Sequence, residues 1–84
     1  MLKREIVFNA CATVTPDFAA RLAQLATEVS SEVYLERGGA RLSVDSLISI
    51  LSMDLRRGAR VNVYTDGADE EAAAERVCAL LTTP

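Results

Sequence analysis

Histidine occurs nowhere in this 84-residue sequence. Its absence excludes Ser-His-Asp and Cys-His nucleophile pairs, imidazole metal ligands, and histidine as the acceptor of a phosphoryl group. Cysteine is nearly as scarce. Cys11 and Cys78 stand at opposite ends of the chain without Cys-x-x-Cys spacing or an imidazole neighbour, so two reduced thiols are expected and a zinc site is not. An excess of positive charge is lacking too. Nine Lys and Arg against twelve Asp and Glu leave a net charge of −3, with no field to hold a phosphate backbone, and nucleic acid is not an expected partner. Long apolar runs are also missing. After Met1-Leu2-Lys3-Arg4-Glu5 only Ile6-Val7-Phe8 precede Asn9, too short for a signal peptide or a membrane span, which points to a cytoplasmic protein without membrane insertion. No linker, repeat or low-complexity tract divides the sequence. What is present is 50% apolar and 25% charged, the composition of one globular domain over residues 1–84.

Ile6, Phe8 and Ala10 alternate with Glu5, Val7 and Asn9, which predicts a first strand over about residues 3–10. Thr15-Pro16-Asp17 then reads as a helix start: a hydroxyl to cap, a proline where a missing N–H is harmless, and a carboxylate at the positive end of the dipole. The helix is expected from Pro16 to about Val29, with Phe18, Leu22, Leu25, Ala26 and Val29 on its buried face. Val33 and Leu35 alternate with Glu32, Tyr34 and Glu36, and beyond Gly38-Gly39 the pattern resumes at Leu42 and Val44, a hairpin. Asp45-Ser46 caps a short apolar helix from Leu47 to Met53, expected to carry Arg56-Arg57 at its C-terminal end and to stop at Gly58. Arg60 to Thr65 makes a fourth strand with Val61 and Val63 on one face, and Asp66-Gly67 turns the chain. Asp69 caps a last helix that has Glu70 and Glu71 in its first turn and buries Ala73, Val77, Leu80 and Leu81. The order β-α-β-β-α-β-α predicts an α+β open-faced sandwich, a four-stranded antiparallel sheet with three helices on one face. Periodicity leaves a ferredoxin-like β-α-β-β-α-β domain with an added helix equally open.

Val33-Tyr34-Leu35-Glu36, the glycine hairpin, Asp45-Ser46-Leu47-Ile48-Ser49-Ile50-Leu51-Ser52-Met53, Arg57-Gly58-Ala59 and Asp66-Gly67-Ala68-Asp69-Glu70 follow in one order without gaps. That series resembles the histidine-containing phosphocarrier (HPr) family of the bacterial sugar phosphotransferase system. The resemblance spans nearly the whole chain and implies the HPr open-faced β-sandwich. It also implies a phosphocarrier site at the start of the first helix, where the family places a His-Ala-Arg-Pro segment. Here the matching segment is Thr15-Pro16-Asp17-Phe18. Thr15 offers a hydroxyl without a base, and Asp17 sets a negative charge where the family's arginine neutralises phosphate. At ~4 Å and an effective dielectric of about 20, that reversal is worth several kcal/mol against docking of a phosphoryl donor. The resemblance therefore carries the fold and not the histidine chemistry.

By the same resemblance Ser46 matches the serine that an HPr kinase phosphorylates in many Gram-positive members, at a helix N-terminus where free N–H groups would meet a phosphate. Asp45 stands where relatives usually have a basic residue, and a plain N-cap is the other use of Ser46. Leu47, Ile48 and Leu51 match the apolar patch through which family members bind partner proteins. A two-turn helix cannot bury Leu47, Ile48, Ile50, Leu51 and Met53 on one sheet, so the segment is either an interface or a helix end under a loop.

Other groups read as structural. Cys11 lies ahead of the first cap with no basic neighbour, and Cys78 falls on the last helix as a core or boundary side chain. Asp66, Asp69, Glu70 and Glu71 lack the Asp-x-Asp-x-Asp-Gly ligand order and read as a capping turn, so no metal is expected. Arg56, Arg57 and Arg60 read as a helix-end charge complement without the interleaved aromatics of an RNA site. The expected function is a non-enzymatic, cofactor-free HPr-like regulatory module that binds proteins and is switched at Ser46. Its expected partners are phosphotransferase components, an HPr kinase or a transcription regulator. The alternatives are an HPr-fold domain repurposed in an unrelated complex, or a small anion- or ligand-binding domain that uses the first helix N-terminus.

Overall fold

A computed structural model describes residues 1–84 and shows β1 (Leu2–Val7), α1 (Pro16–Glu28), β2 (Glu32–Arg37), β3 (Ala40–Ser43), α2 (Leu47–Ser52), β4 (Arg60–Asp66) and α3 (Glu70–Thr82). The strands form one antiparallel sheet in the order β1-β4-β2-β3. Because successive strand side chains point to opposite faces, Val33 and Leu35 of β2 and Val61, Val63 and Thr65 of β4 line one side. All five are buried there. Helix α1 lays Phe18, Leu22 and Leu25 into the core they begin, α3 adds Val77 and Leu81, and Phe8, Val44 and Leu55 close it from the connecting segments. The Phe8 and Phe18 rings meet edge to face, 5.4 Å between centroids, so the entry to α1 is fixed by packing as well as by its cap.

The other face of the sheet is open and polar. There Glu36 accepts hydrogen bonds from Asn62 and from the Tyr64 hydroxyl, each at 3.1 Å, and these donors hold its carboxyl below the usual range. Arg41 lies 4.0 Å above the Tyr64 ring and covers what would otherwise be an exposed aromatic. At the β2–β3 turn Arg37 pairs with Ala40, and Gly38 and Gly39 take φ of +62° and +84°. Two consecutive left-handed residues are what a two-residue hairpin turn of this twist demands, and glycine meets it without strain.

Four details depart from the sequence reading. Strand β1 ends at Val7 rather than near residue 10, because Asn9 and Ala10 turn their N–H groups to the Leu81 carbonyl at the end of α3. Helix α2 ends at Ser52, with Met53 as its C-cap, so Arg56 and Arg57 do not complement its dipole. Met53 and Leu55 are instead both buried on either side of a tight turn, in which the Leu55 N–H reaches the Met53 carbonyl at 2.9 Å, and the arginines follow on the loop beyond. Asp69 occupies the cap position of α3 but makes no capping hydrogen bond with its side chain. Leu80 is only partly buried, and Ala74 takes the place in the core that the periodicity assigned to it.

Candidate functional site

The site is built on the N-termini of α1 and α2. At α1 the Thr15 hydroxyl accepts a 3.1 Å hydrogen bond from the Phe18 N–H, and the Ala19 N–H reaches the Thr15 carbonyl at 2.9 Å. Pro16 fills the first helical position, where no N–H is needed. Thr15, Pro16 and Asp17 are exposed, whereas Phe18 turns inward against Phe8. The hydroxyl is thus engaged in holding the helix end. Asp17 already places a carboxylate at the positive pole of α1, the position an incoming anion would take. The loop after α2 packs beside this entry: the Arg57 N–H donates to Ala12 at 3.0 Å, and Arg56 bridges Thr13. The Arg56 side chain pairs with Asp54 at 3.4 Å.

At α2 the Ser46 hydroxyl accepts from the Ser49 N–H at a long 3.4 Å, and the Ile50 N–H reaches the Ser46 carbonyl at 3.1 Å. Only Ile50 of the helix proper is buried, at 1% exposure, with the Met53 cap beneath it. Leu47, Ile48 and Leu51 are exposed by 42%, 80% and 42%. A six-residue helix spans fewer than two turns, so anchoring it by Ile50 necessarily turns the neighbouring positions outward. Beside Leu47 a shallow depression of about 330 Å³ runs onto α1, lined by Ala20, Ala23, Gln24, Thr27 and Asp45. Sequence reasoning missed these α1 residues as neighbours of the patch. Their signal was their place on the side of α1 opposite Phe18, Leu22 and Leu25, with small or uncharged side chains.

Asp69 has a different role from the one expected. Its carboxylate accepts from the Ser30 N–H at 2.9 Å and from the Ser31 hydroxyl at 2.5 Å, tying the end of α1 to the start of α3. Those donors, the Ser31 hydroxyl first, hold its pKa below the ordinary carboxylate value. Gly67 permits the contact: a Cβ there would stand 2.7 Å from the Ser31 backbone. Cys11 and Cys78 are half-buried, and burial raises the Cys78 thiol pKa, which disfavours its reactive thiolate.

Compared with known proteins, residues 5–83 match the family model PTS-HPr, described as the PTS HPr component phosphorylation site. The chain belongs to the HPr family. It is 31% identical over 61 residues to the HPr-like protein Crh of Bacillus subtilis (strain 168), covering 73% of this chain and 72% of that one. It is 30% identical over 81 residues to the phosphocarrier protein HPr of Borreliella burgdorferi, covering 96% of this chain and 94% of the relative. The crystal structure of HPr-C-His from Thermoanaerobacter tengcongensis superposes with a TM-score of 0.88 at 25% identity, covering 96% of this chain and 91% of that one. The HPr fold of four antiparallel strands and three helices is therefore the fold of this chain, in a member that contains no histidine.

Proposed function

We propose that this HPr-family protein does not carry phosphate on histidine and acts as a cytoplasmic regulatory module that binds other proteins through α2. The observation that supports this reading is the outward display of Leu47, Ile48 and Leu51, anchored from below by Ile50. Contiguous apolar side chains held outward on a rigid element are the pattern of a protein interface. Asp17 and the engaged Thr15 hydroxyl argue in the same direction, since neither offers a site for a phosphoryl group.

Ser46 is the candidate switch. Its hydroxyl makes only a long capping bond, and a phosphate there would add about −1.5 to −2 charge beside the patch. That charge recruits a partner bearing arginine and repels an acidic one, without a change of fold. Asp45 next to it selects for a kinase or partner that tolerates an adjacent carboxylate. Phosphotransferase components, an HPr kinase or a transcription regulator are the expected partners.

The test is capture from the native host with wild type, Ser46→Asp and Ile48→Glu, with thermal melts of all three. Wild type is expected to retain a partner that Ile48→Glu loses while the melting temperatures stay together. Unfolding of Ile48→Glu with no partner distinguishing the proteins would place the patch in the core and end this reading. A second assay supplies phosphoenolpyruvate and the first enzyme of the phosphotransferase chain. No acid-labile phosphate is expected on this protein, and a stoichiometric one would refute the loss of phosphocarrier chemistry.

A further inference from the structure

Two concavities border α1. The larger, a groove of about 820 Å³ between α1 and α3, has its carboxylate Glu28 already paired with Arg76 at 2.6 Å. The smaller is the depression of about 330 Å³ between α1 and α2, and its one charged residue, Asp45, takes part in no ion pair. Ala20, Ala23, Gln24 and Thr27 stand at i, i+3, i+4 and i+7 on one stripe of α1, and Leu47 closes the far side. The polar side chains here offer acceptors. The Thr27 hydroxyl donates its proton to the Gln24 carbonyl at 2.7 Å and keeps only lone pairs. Gln24 turns its amide nitrogen to Glu28 at 3.4 Å, so its Oε1 is the end left free. Asp45 also borders the Tyr34 phenol, which is held above its ordinary pKa first by its hydrogen bond to Glu32, then by burial and the charges of Glu32, Asp66 and Asp45. The depression therefore opens beside a wider negative field.

We propose that this depression receives a lysine or arginine side chain from a protein docked on α2, its methylene stem over Ala20, Ala23 and Leu47 and its cation on Asp45. Such a partner is the one proposed above for Leu47, Ile48 and Leu51, so the site rests on that reading of α2. A basic side chain suits the place because its stem covers an apolar floor while its head stays wet at the rim. The head brings donors and a positive charge to a set of acceptors, and its bond to the carboxylate is charge-assisted. A carboxylate in the same position would be repelled, and an apolar side chain would leave the acceptors unpaired. Leu47 belongs both to the depression and to the patch, so a partner that covers the patch brings its edge over Asp45. The partner surface is thus apolar where it meets Ile48 and Leu51 and basic at the edge that faces α1. Asp45 supplies the negative charge without any modification of Ser46.

Titration of the isotope-labelled protein with side-chain analogues at fixed ionic strength, read by amide NMR shifts, tests it. Propylguanidinium and butylammonium are expected to shift Ala20, Ala23, Thr27 and Leu47 together and saturably, with dissociation constants on the order of 10 mM, as suits such small molecules. Butyramide and butyrate are expected to leave these amides unmoved. Asp45→Asn should weaken binding of the cations about threefold to tenfold and Asp45→Arg should abolish it, both without a change in melting temperature because Asp45 is exposed. Ala20→Leu fills the floor, keeps the charge and should abolish binding as well. Equal shifts by all the analogues, or cation binding indifferent to both Asp45 variants, overturns the proposal. For a partner captured through Ile48, Asp45→Arg is expected to weaken retention at least about tenfold, and more at low salt. Retention that Ile48→Glu abolishes and Asp45→Arg leaves intact overturns the cation site and keeps the α2 interface. Capture of no protein at all refutes the α2 reading and with it this source of the cation, whereas failure of the titration refutes the cation site alone.

Discussion

Helices α1 and α2 begin alike and use their apolar side chains in opposite ways. Each starts from a hydroxyl cap, Thr15 or Ser46. Helix α1 has 13 residues, enough turns to repeat one face, and it turns Phe18, Ala19, Leu22 and Leu25 inward. Helix α2 has six, keeps Ile50 inside, and shows Leu47, Ile48 and Leu51 to solvent. Leucine and isoleucine content says nothing of this difference. Length decides it, because a helix under two turns has room for one anchor, and every other apolar residue on it is available for a second surface. The longer helix holds the fold and the shorter one presents a surface.

The sharpest way to break that contrast is to truncate the anchors. Leu22→Ala in α1 is expected to cost on the order of 2–5 kcal/mol by chemical denaturation, and Ile50→Ala a value toward the lower end of that range. A cost under about half a kilocalorie at Leu22 would mean that α1 packs by a different face. The caps come next. Thr15→Ala should lose about 1 kcal/mol, and Ser46→Ala only a few tenths, since its bond is longer and the helix it closes shorter. Equal losses would show Ser46 to be as structural as Thr15. Ile48→Ala, at the most exposed of the apolar positions, is expected to stay within about half a kilocalorie of wild type.

The smallest effect concerns Asp69, which braces α1 and has no counterpart at α2. Its pKa in the folded state lies below its unfolded value, through the Ser31 and Ser30 hydrogen bonds. The stability it contributes is therefore complete above about pH 4 and fades as pH falls through the folded pKa. The melting temperatures of wild type and Asp69→Asn should differ near neutral pH and converge in acid. A gap that persists at low pH would place the contribution in the packing of the side chain and not in its charge.

Much of this was legible from residues alone. The Thr15-Pro16-Asp17 start, the two inward stripes of β2 and β4, and the Gly38-Gly39 hairpin each follow from local chemistry, and the structure places them as expected. The outward patch on α2 was legible only as a surplus of apolar residues, because which of them finds a core depends on the loop that follows. That loop also hid the end of α2. Arg56 and Arg57 look like a helix terminus in sequence, but Leu55 is pulled into the core and a tight turn after Met53 ends the helix before them. Asp69 was misread for a related reason. A capping residue and a residue that bonds a loop 38 positions away present the same side chain, and only the fold brings Ser31 to it. The groove between α1 and α3 has no local signature at all, being made by two helices at opposite ends of the chain.

The order β1-β4-β2-β3 also bears on how the protein is made. Strand β1 leaves the ribosome first, yet its only sheet neighbour is β4, which is synthesised after β2, β3 and α2. At about 5–20 residues per second, the nascent β1 waits roughly three to twelve seconds for a partner. During that time it is an unpaired edge in a crowded cell, open to any other strand. Lys3, Arg4 and Glu5 at its centre make it a poor template for such pairing, so the charges of this strand serve the chain before it folds as well as after.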